Sequence, residues 1–251
     1  MAARQRPLAP PRACLSGPRP RLWPDTGSGV WSDALWAACL DRPPPAFPLD
    51  QLPQLGCDCA MGKGEDYHAI HGRWGSVSVA HSTSNTMNPA RITAKLKEAA
   101  REAADLANRH RDRGSQPIDP KTIPIKIDDD GTGNAIGSSL MEDGSTVHPI
   151  GAGTSATRPD SYPRKRDELW FEVAERARAG GVYLGALDRA TRRRLKQQLM
   201  APAWDLDAQG RRKVEPKDKT KEKIGRSPDD ADAVNLSYFE GGIWAPPEVL
   251  G

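Results

Sequence analysis

The sequence predicts an α/β fold, a mixed sheet of about five strands flanked by helices. Two observations carry that prediction. Short apolar runs come in the order strand, strand, strand, helix, strand, helix, strand, which joins hairpin pairing to helical crossovers. Four acidic residues also stand at the end of a predicted strand or the start of a predicted helix: Asp58, Asp128, Asp229 and Asp232. Open α/β sheets collect their functional groups at such positions.

Each element has a local reason. Residues 32–40 read as a short helix, with Ser32 as its N-cap and Pro43-Pro44-Pro45 beyond its end. Residues 55–60, 67–74 and 76–81 are strand-like runs separated by the glycine-bearing turns Gly62-Lys63-Gly64-Glu65-Asp66 and Gly75, an antiparallel meander. Asn88-Pro89 opens a helix of about six turns, with Ile92, Leu96, Ala99, Ala103 and Leu106 near one face. A fourth strand over 123–127 runs into Asp128-Asp129-Asp130-Gly131-Thr132-Gly133 and a helix reaching Leu140, and a fifth strand is expected over 146–150. The glycine- and threonine-rich loop 151–163 is expected to be mobile. Helices over 164–179 and 187–199 follow, then a hairpin over 204–214 turning at Gly210, a basic linker over 217–226, and a last helix over 228–239.

Composition bounds the rest. The chain of 251 residues is long enough for one well-buried domain with appendages. The expected organisation is a disordered basic tail over 1–28, a short helix and proline-rich linker over 29–50, the main domain over 51–242, and a C-terminal tail over 243–251. Residues 1–24 hold five arginines, six prolines and no acidic residue, a composition that builds no core. No apolar run approaches the roughly 20 residues that span a bilayer, and no secretory signal is evident. Cys14, Cys39, Cys57 and Cys59 lack the spacing of a disulfide framework or a zinc knuckle, and are read as reduced thiols. Net charge is only +3, so nucleic-acid binding has to rest on local clusters.

The acidic set points to hard-cation chemistry. Carboxylates that converge from distant segments supply the oxygen donors and negative charge that hold paired divalent ions. Strands one and four would be neighbours, bringing Asp58 and Asp128 together. Pro228 in the first turn of a helix puts Asp229 and Asp232 three residues apart on one face. Taken singly, an aspartate in such a place is most often a turn former or N-cap, so the case rests on the order and spacing of the set, and Asp129, Asp130 and Asp66 read as turn residues. Residues 211–226 carry eight basic side chains against three acidic ones: Arg211, Arg212, Lys213, Lys217, Lys219, Lys221, Lys223 and Arg226. Such a run grips a phosphate backbone or forms a solvated loop, and its composition fits both. The histidines show no metal spacing, and Trp31, Trp36, Trp74, Trp170 and Trp204 read as packing residues.

These residues carry a resemblance. Leu55-Gly56-Cys57-Asp58-Cys59-Ala60, with Gly62, Gly64, Glu65 and Asp66, resembles the first motif of the nuclease domain of phage large terminase subunits. Ile127-Asp128-Asp129-Asp130-Gly131-Thr132-Gly133 resembles the second, and Gly225-Arg226-Ser227-Pro228-Asp229-Asp230-Ala231-Asp232-Ala233 the third. The segments 166–171 and 215–219 are similar to that family's connecting segments, so the likeness spans roughly residues 30 to 240. It implies a ribonuclease H-like fold, shared with Holliday-junction resolvases, that cuts double-stranded DNA with two Mg²⁺ or Mn²⁺ ions. By matching positions, Asp58, Asp128 and Asp229 or Asp232 would be the catalytic metal ligands, with the choice within the last pair left open. One ion would acidify the attacking water and the other would stabilise the leaving 3′-oxygen.

The chain also departs from that pattern. Large terminases carry an ATPase domain ahead of the nuclease, and this sequence has neither room for it nor a Gly-x-x-x-x-Gly-Lys-Ser/Thr loop. Arg164 stands where the family usually has an asparagine. The expectation is a separated nuclease part in the cytoplasm of a phage or prophage host, with double-stranded DNA, a separate terminase ATPase, a small terminase subunit and portal as partners, and no membrane. The alternatives are a catalytically inactive prophage remnant or DNA-binding packaging component, and a junction resolvase.

Overall fold

Side-chain alternation along two parallel strands decides the architecture. In the computed structural model, which describes residues 28–59, 67–86 and 88–241, β1 (Gln54–Asp58) and β4 (Ile125–Asp128) lie side by side, with Cys57 in register with Ile127. The sheet order is β3-β2-β1-β4-β5, with β2 spanning His68–Trp74, β3 Val77–Ser84 and β5 Val147–Ile150. β1, β2 and β3 pair antiparallel, whereas β1, β4 and β5 pair parallel, giving the mixed five-stranded sheet that the sequence predicts.

Successive strand residues face opposite sides. Leu55, Cys57, Cys59, Ile125 and Ile127 therefore point to one face, where they meet Ile92, Leu96, Ala100, Ala103 and Ala104 of α2 (Pro89–His110) and Ile136 and Leu140 of α3 (Thr132–Glu142). Burial of each of the larger aliphatic side chains contributes about 1.5–3 kcal/mol. Asn88 caps α2 by accepting a hydrogen bond from Ala90 N, and Pro89 occupies the first turn. The buried stripe of α2 is centred on Ala100, Ala103, Ala104 and Ala107, which leaves the expected face residues Ala99 and Leu106 half-buried.

The opposite face, bearing Gly56, Asp58, Lys126 and Asp128, is covered by α7 (Asp229–Tyr238). A side chain at position 56 would meet Ala233 O and Ser237 N, each 2.3 Å from the added Cβ, so only glycine lets α7 lie this close to β1. The C-terminal carbonyls of α7 are held by cations, as the helix dipole favours. Arg73 Nε donates to Ser237 O at 2.6 Å, Arg176 Nη1 to Tyr238 O at 3.2 Å, and Lys126 Nζ to Phe239 O.

A second core lies beyond α7. Trp170, Phe171 and Val173 of α4 (Lys165–Arg178) meet Leu195 and Leu199 of α5 (Arg189–Met200) and Val234 and Tyr238 of α7. Val30, Trp31, Leu35 and Trp36, from α1 (Asp33–Ala38) and the residues before it, join the same core. Residues 30–40 are thus packed into this core, whereas most of residues 41–50 are exposed, and all five tryptophans read as packing residues are buried.

Several sequence expectations change. The basic linker is a helix, α6 (Lys217–Ile224), closed by Gly225 at φ 73. Its alternating charges carry no apolar period, so pattern reading misses a helix made of good helix formers. The loop 151–163 is tied to α4, because Glu168 accepts hydrogen bonds from Thr157 N at 2.7 Å and Arg158 N at 3.1 Å. The hairpin of β6 (Trp204–Leu206) and β7 (Arg212–Val214) turns at Gly210 as read. The tail 1–27, Cys14, the turn residues Gly62 to Asp66 and the tail 243–251 lie outside the described residues. Among the described residues, no helix is long and apolar enough to cross a membrane.

Candidate metal centre

The ends of β1 and β4 and the first turn of α7 meet, and the acidic residues meet with them. Asp58 and Asp229 are 2% and 1% exposed, so their carboxylates are withdrawn from water. Three of the four aspartates close round one cation. Lys217 Nζ, at the first residue of α6, lies 3.1 Å from Asp58 Oδ2, 3.2 Å from Asp229 Oδ1 and 3.0 Å from Asp232 Oδ2. Asp128 lines the adjoining cavity of about 220 Å³, together with Asp130, Arg164, Arg166, Trp170, Lys217, Asp232 and Asn235.

Neighbouring groups orient each carboxylate. Tyr67 N donates to Asp229 Oδ2 at 3.1 Å, Trp170 Nε1 donates to Asp232 Oδ1 at 3.2 Å, and Asp130 N makes a longer contact of 3.4 Å to Asp128 Oδ1. Asp229 and Asp232 both reach Lys217, so the spacing of three along one helix face does bring the pair together.

Four carboxylates against one ammonium leave the cluster short of positive charge. Burial first, and then repulsion from Asp232, Asp229 and Asp128, pushes the Asp58 carboxyl well above the usual range against the pull of Lys217. Asp128 is raised to about 6, by burial first and then by Asp130 and Asp232. Burial works against the Lys217 charge, yet Asp58, Asp232 and Asp229 hold its ammonium well above its ordinary value.

The donor chemistry fits hard divalent cations, which take oxygen ligands and carry the charge the cluster lacks. The ammonium occupies the place such a cation would take. Among the described residues, no three acidic, histidine or cysteine side chains are already set at ligating geometry. The aspartates instead stand 3.0 to 3.2 Å from Nζ, beyond the roughly 2.0–2.1 Å of Mg²⁺ coordination.

The other predicted site residues divide. Lys217 is enclosed by the aspartates rather than presented to a phosphate backbone. Arg211 pairs with Asp207 at 2.7 Å, Arg212 with Glu175 at 3.0 Å and Lys223 with Glu215 at 2.6 Å. Arg226 lies over the Tyr67 ring and 3.7 Å from Asp230. Lys221 is half-buried, and Lys213 and Lys219 are exposed. Asp129 Oδ1 accepts a hydrogen bond from Asn134 Nδ2 at 3.0 Å, a turn role as read.

Sequence reasoning placed Lys217 in a phosphate-gripping run rather than among the aspartates, and it missed the groups that fix α7 sideways. Asp230, fully buried, accepts from His81 Nε2 at 2.7 Å and from Gln198 Nε2 at 2.7 Å. Burial raises its pKa, but the hydrogen bond and charge of His81 together with the charges of Arg194 and Arg226 outweigh this and hold the carboxyl below its usual range. The contact chain runs on from His81 Nδ1 to His71 Nδ1 at 3.1 Å, His71 Nε2 to Ser78 Oγ at 2.9 Å, and Ser78 Oγ to Tyr238 OH at 3.0 Å. No spacing in the sequence links these positions. The order of strand pairing alone brings His71 against His81.

A mixed sheet of this order, with carboxylates gathered at the ends of two adjacent parallel strands, defines a ribonuclease H-like fold. Within that class, the chain has the fold of the nuclease domains of phage terminase large subunits. The nuclease domain of the large terminase subunit of bacterial virus Sf6 superposes with a TM-score of 0.61 at 16% identity, covering 84% of this chain and 99% of that one. The large terminase nuclease of thermophilic phage G20c with bound magnesium gives 0.54 at 16% identity, covering 84% and 96%. The corresponding domain of Thermus phage P74-26 gives 0.54 at 15%, covering 84% and 94%. Structures of a variant Sf6 domain carry manganese or calcium, and a further G20c structure carries bound cobalt. No protein-family model matches the sequence, and no curated protein matches it.

Proposed function

We propose that this protein is a metal-dependent endonuclease acting on double-stranded DNA, the nuclease part of a phage DNA-packaging terminase. The observation that carries the reading is the convergence of Asp58, Asp229 and Asp232 on one ammonium, with Asp128 on the wall of the same cavity. A cluster of four carboxylates that converge from distant segments suits two divalent ions, Mg²⁺ or Mn²⁺. The relatives' magnesium, manganese and cobalt complexes support that choice.

Asp58, Asp128, Asp229 and Asp232 would hold the ions. When bound, these supply the Lewis-acid charge that acidifies a water and stabilises the leaving oxygen of a phosphodiester. Trp170 and the Tyr67 amide keep Asp232 and Asp229 turned inward, so ligand oxygens are oriented in advance. Lys217 balances the carboxylates. With ions held there, its long flexible stem would let the ammonium turn to a phosphate, as a point charge for non-bridging oxygens. A separate ATPase, a small terminase subunit and a portal are the partners this role requires.

Plasmid DNA supplies the test. The purified chain is expected to nick and linearise it with Mn²⁺ or Mg²⁺ and to stop on chelation. Asp58→Asn and Asp128→Asn are each expected to lower the rate at least about 100-fold, the loss of about 2.7 kcal/mol of transition-state stabilisation. Undiminished cutting by both variants would reject the assignment.

A further inference from the structure

Asn235 is 1% exposed, and neither its amide nitrogen nor its amide oxygen has a hydrogen-bond partner among the described residues. A buried, unsatisfied amide is costly, and a folded chain retains one where a ligand or a solvent molecule is to complete it. Asn235 stands on α7 one turn beyond Asp232 and lines the same cavity. Arg166 of α4 lines that cavity too. Its Nη1 donates to Glu215 O at 2.7 Å, while its Nε and Nη2 are buried without partners among the described residues. Arg164 also lines the space, and its side chain is exposed. Cationic and amide donors thus stand beside the carboxylates, in a wall otherwise made by Leu169, Trp170, Leu236, Ala152 and Gly153.

We infer that Arg166 and Asn235 form a subsite for a phosphate of the DNA strand next to the bond that is cut. This rests on the nuclease reading of the neighbouring carboxylates. The chemistry selects an oxyanion. Two guanidinium nitrogens, Nε and Nη2, and one amide N–H2 are donors, Arg166 brings fixed positive charge, and no carboxylate of the described residues accepts from either side chain. Because these donors are already withdrawn from water, a phosphate oxygen that reaches them gains its hydrogen bonds without stripping solvent from the protein side. The exposed Arg164 adds a second guanidinium to the lining of the same cavity. Holding the neighbouring phosphate fixes the scissile one against the metal-binding aspartates, which makes both Arg166 and Asn235 positioning residues.

Asn235→Leu separates this role from a structural one. Replacing an unsatisfied buried amide by an apolar group of similar shape leaves stability equal or higher, so a merely structural Asn235 predicts unchanged DNA handling. The proposal predicts an equal or raised melting temperature with about tenfold weaker binding of a short duplex in Ca²⁺. Arg166→Gln is expected to lower the slope of log affinity against log salt by about 0.9. A duplex carrying one methylphosphonate at the neighbouring phosphate should lose affinity for the wild-type chain and lose none further for either variant. Wild-type binding and salt slope in both variants would overturn the subsite, as would a wild-type chain that binds no duplex. If the variants lose affinity while the wild type never cuts with Mg²⁺ or Mn²⁺, the subsite stands and the nuclease reading falls.

Discussion

Lys217 shows how one residue can hold a charged site together. Asp58, Asp229 and Asp232 lie within 3.2 Å of its ammonium, and at least two of them are almost fully buried. Removing the ammonium leaves carboxylates that repel each other and have lost their counter-ion, a situation far costlier than removing a whole ion pair. Lys217→Ala is therefore expected to melt several degrees below wild type in chelator. Mn²⁺ should then raise its melting point by more than it raises that of wild type, because the ion no longer competes with a resident cation. Differential scanning fluorimetry with and without Mn²⁺ reads both effects, and an equal Mn²⁺ shift in the two proteins would remove Lys217 from the site. The aspartates were legible in the sequence because each closes an apolar run or opens a helix. Lys217 was not, because among eight basic residues in 211–226 nothing local distinguishes the one whose helix start aims inward.

At the scale of elements, α7 is the part on which the site depends, and it is held on three sides. Gly56 admits it to β1, Arg73, Lys126 and Arg176 hold its C-terminal carbonyls, and His81 with Gln198 grips Asp230. His71 links this grip to β2 and β3 and is kept neutral. Burial first, then the neighbouring His81 and Arg73, lowers its pKa well below the ordinary value. Below about pH 6.5 the unfolded chain therefore takes up a proton at His71 that the folded chain refuses, so stability falls as pH drops. The slope contributed by this group approaches about 1.4 kcal/mol per pH unit until the folded-state pKa is reached. His71→Asn, though less stable at pH 8, should show a shallower loss between pH 6.5 and 5 in urea denaturation. Parallel pH profiles would show that His71 is not the titrating group. The strands and α7 were readable from periodicity and from Pro228, whereas this polar bridge depends on a register between β2 and β3 that composition does not specify.

For the whole molecule, two requirements have to coincide: a metal-binding pocket fixed at the sheet ends, and a surface that keeps DNA over it. The first is encoded by alternation, since Asp58 and Asp128 share a face with Gly56 and Lys126, and a slip of one residue would turn them toward α2. The second draws on less of the basic run than the sequence suggests, because Arg211, Arg212, Lys217 and Lys223 all pair with acidic groups. Lys213 on β7 and Lys219 on α6 are the members that stand exposed without such a pairing among the described residues, on either side of Lys217 along the chain. Neither lines the metal cavity. Replacing both by alanine should therefore weaken DNA binding and reduce the salt slope by up to about 0.9 for each phosphate that is no longer neutralised. The cutting rate at saturating DNA should stay close to wild type. Asp58→Asn should behave oppositely, binding duplex DNA in Ca²⁺ while failing to cut it. Fluorescence anisotropy over a salt series, alongside plasmid cleavage, separates the two behaviours. A double lysine variant with an unchanged slope would place the DNA path elsewhere and leave Arg164, Arg166 and Lys217 as the cations that meet the strand.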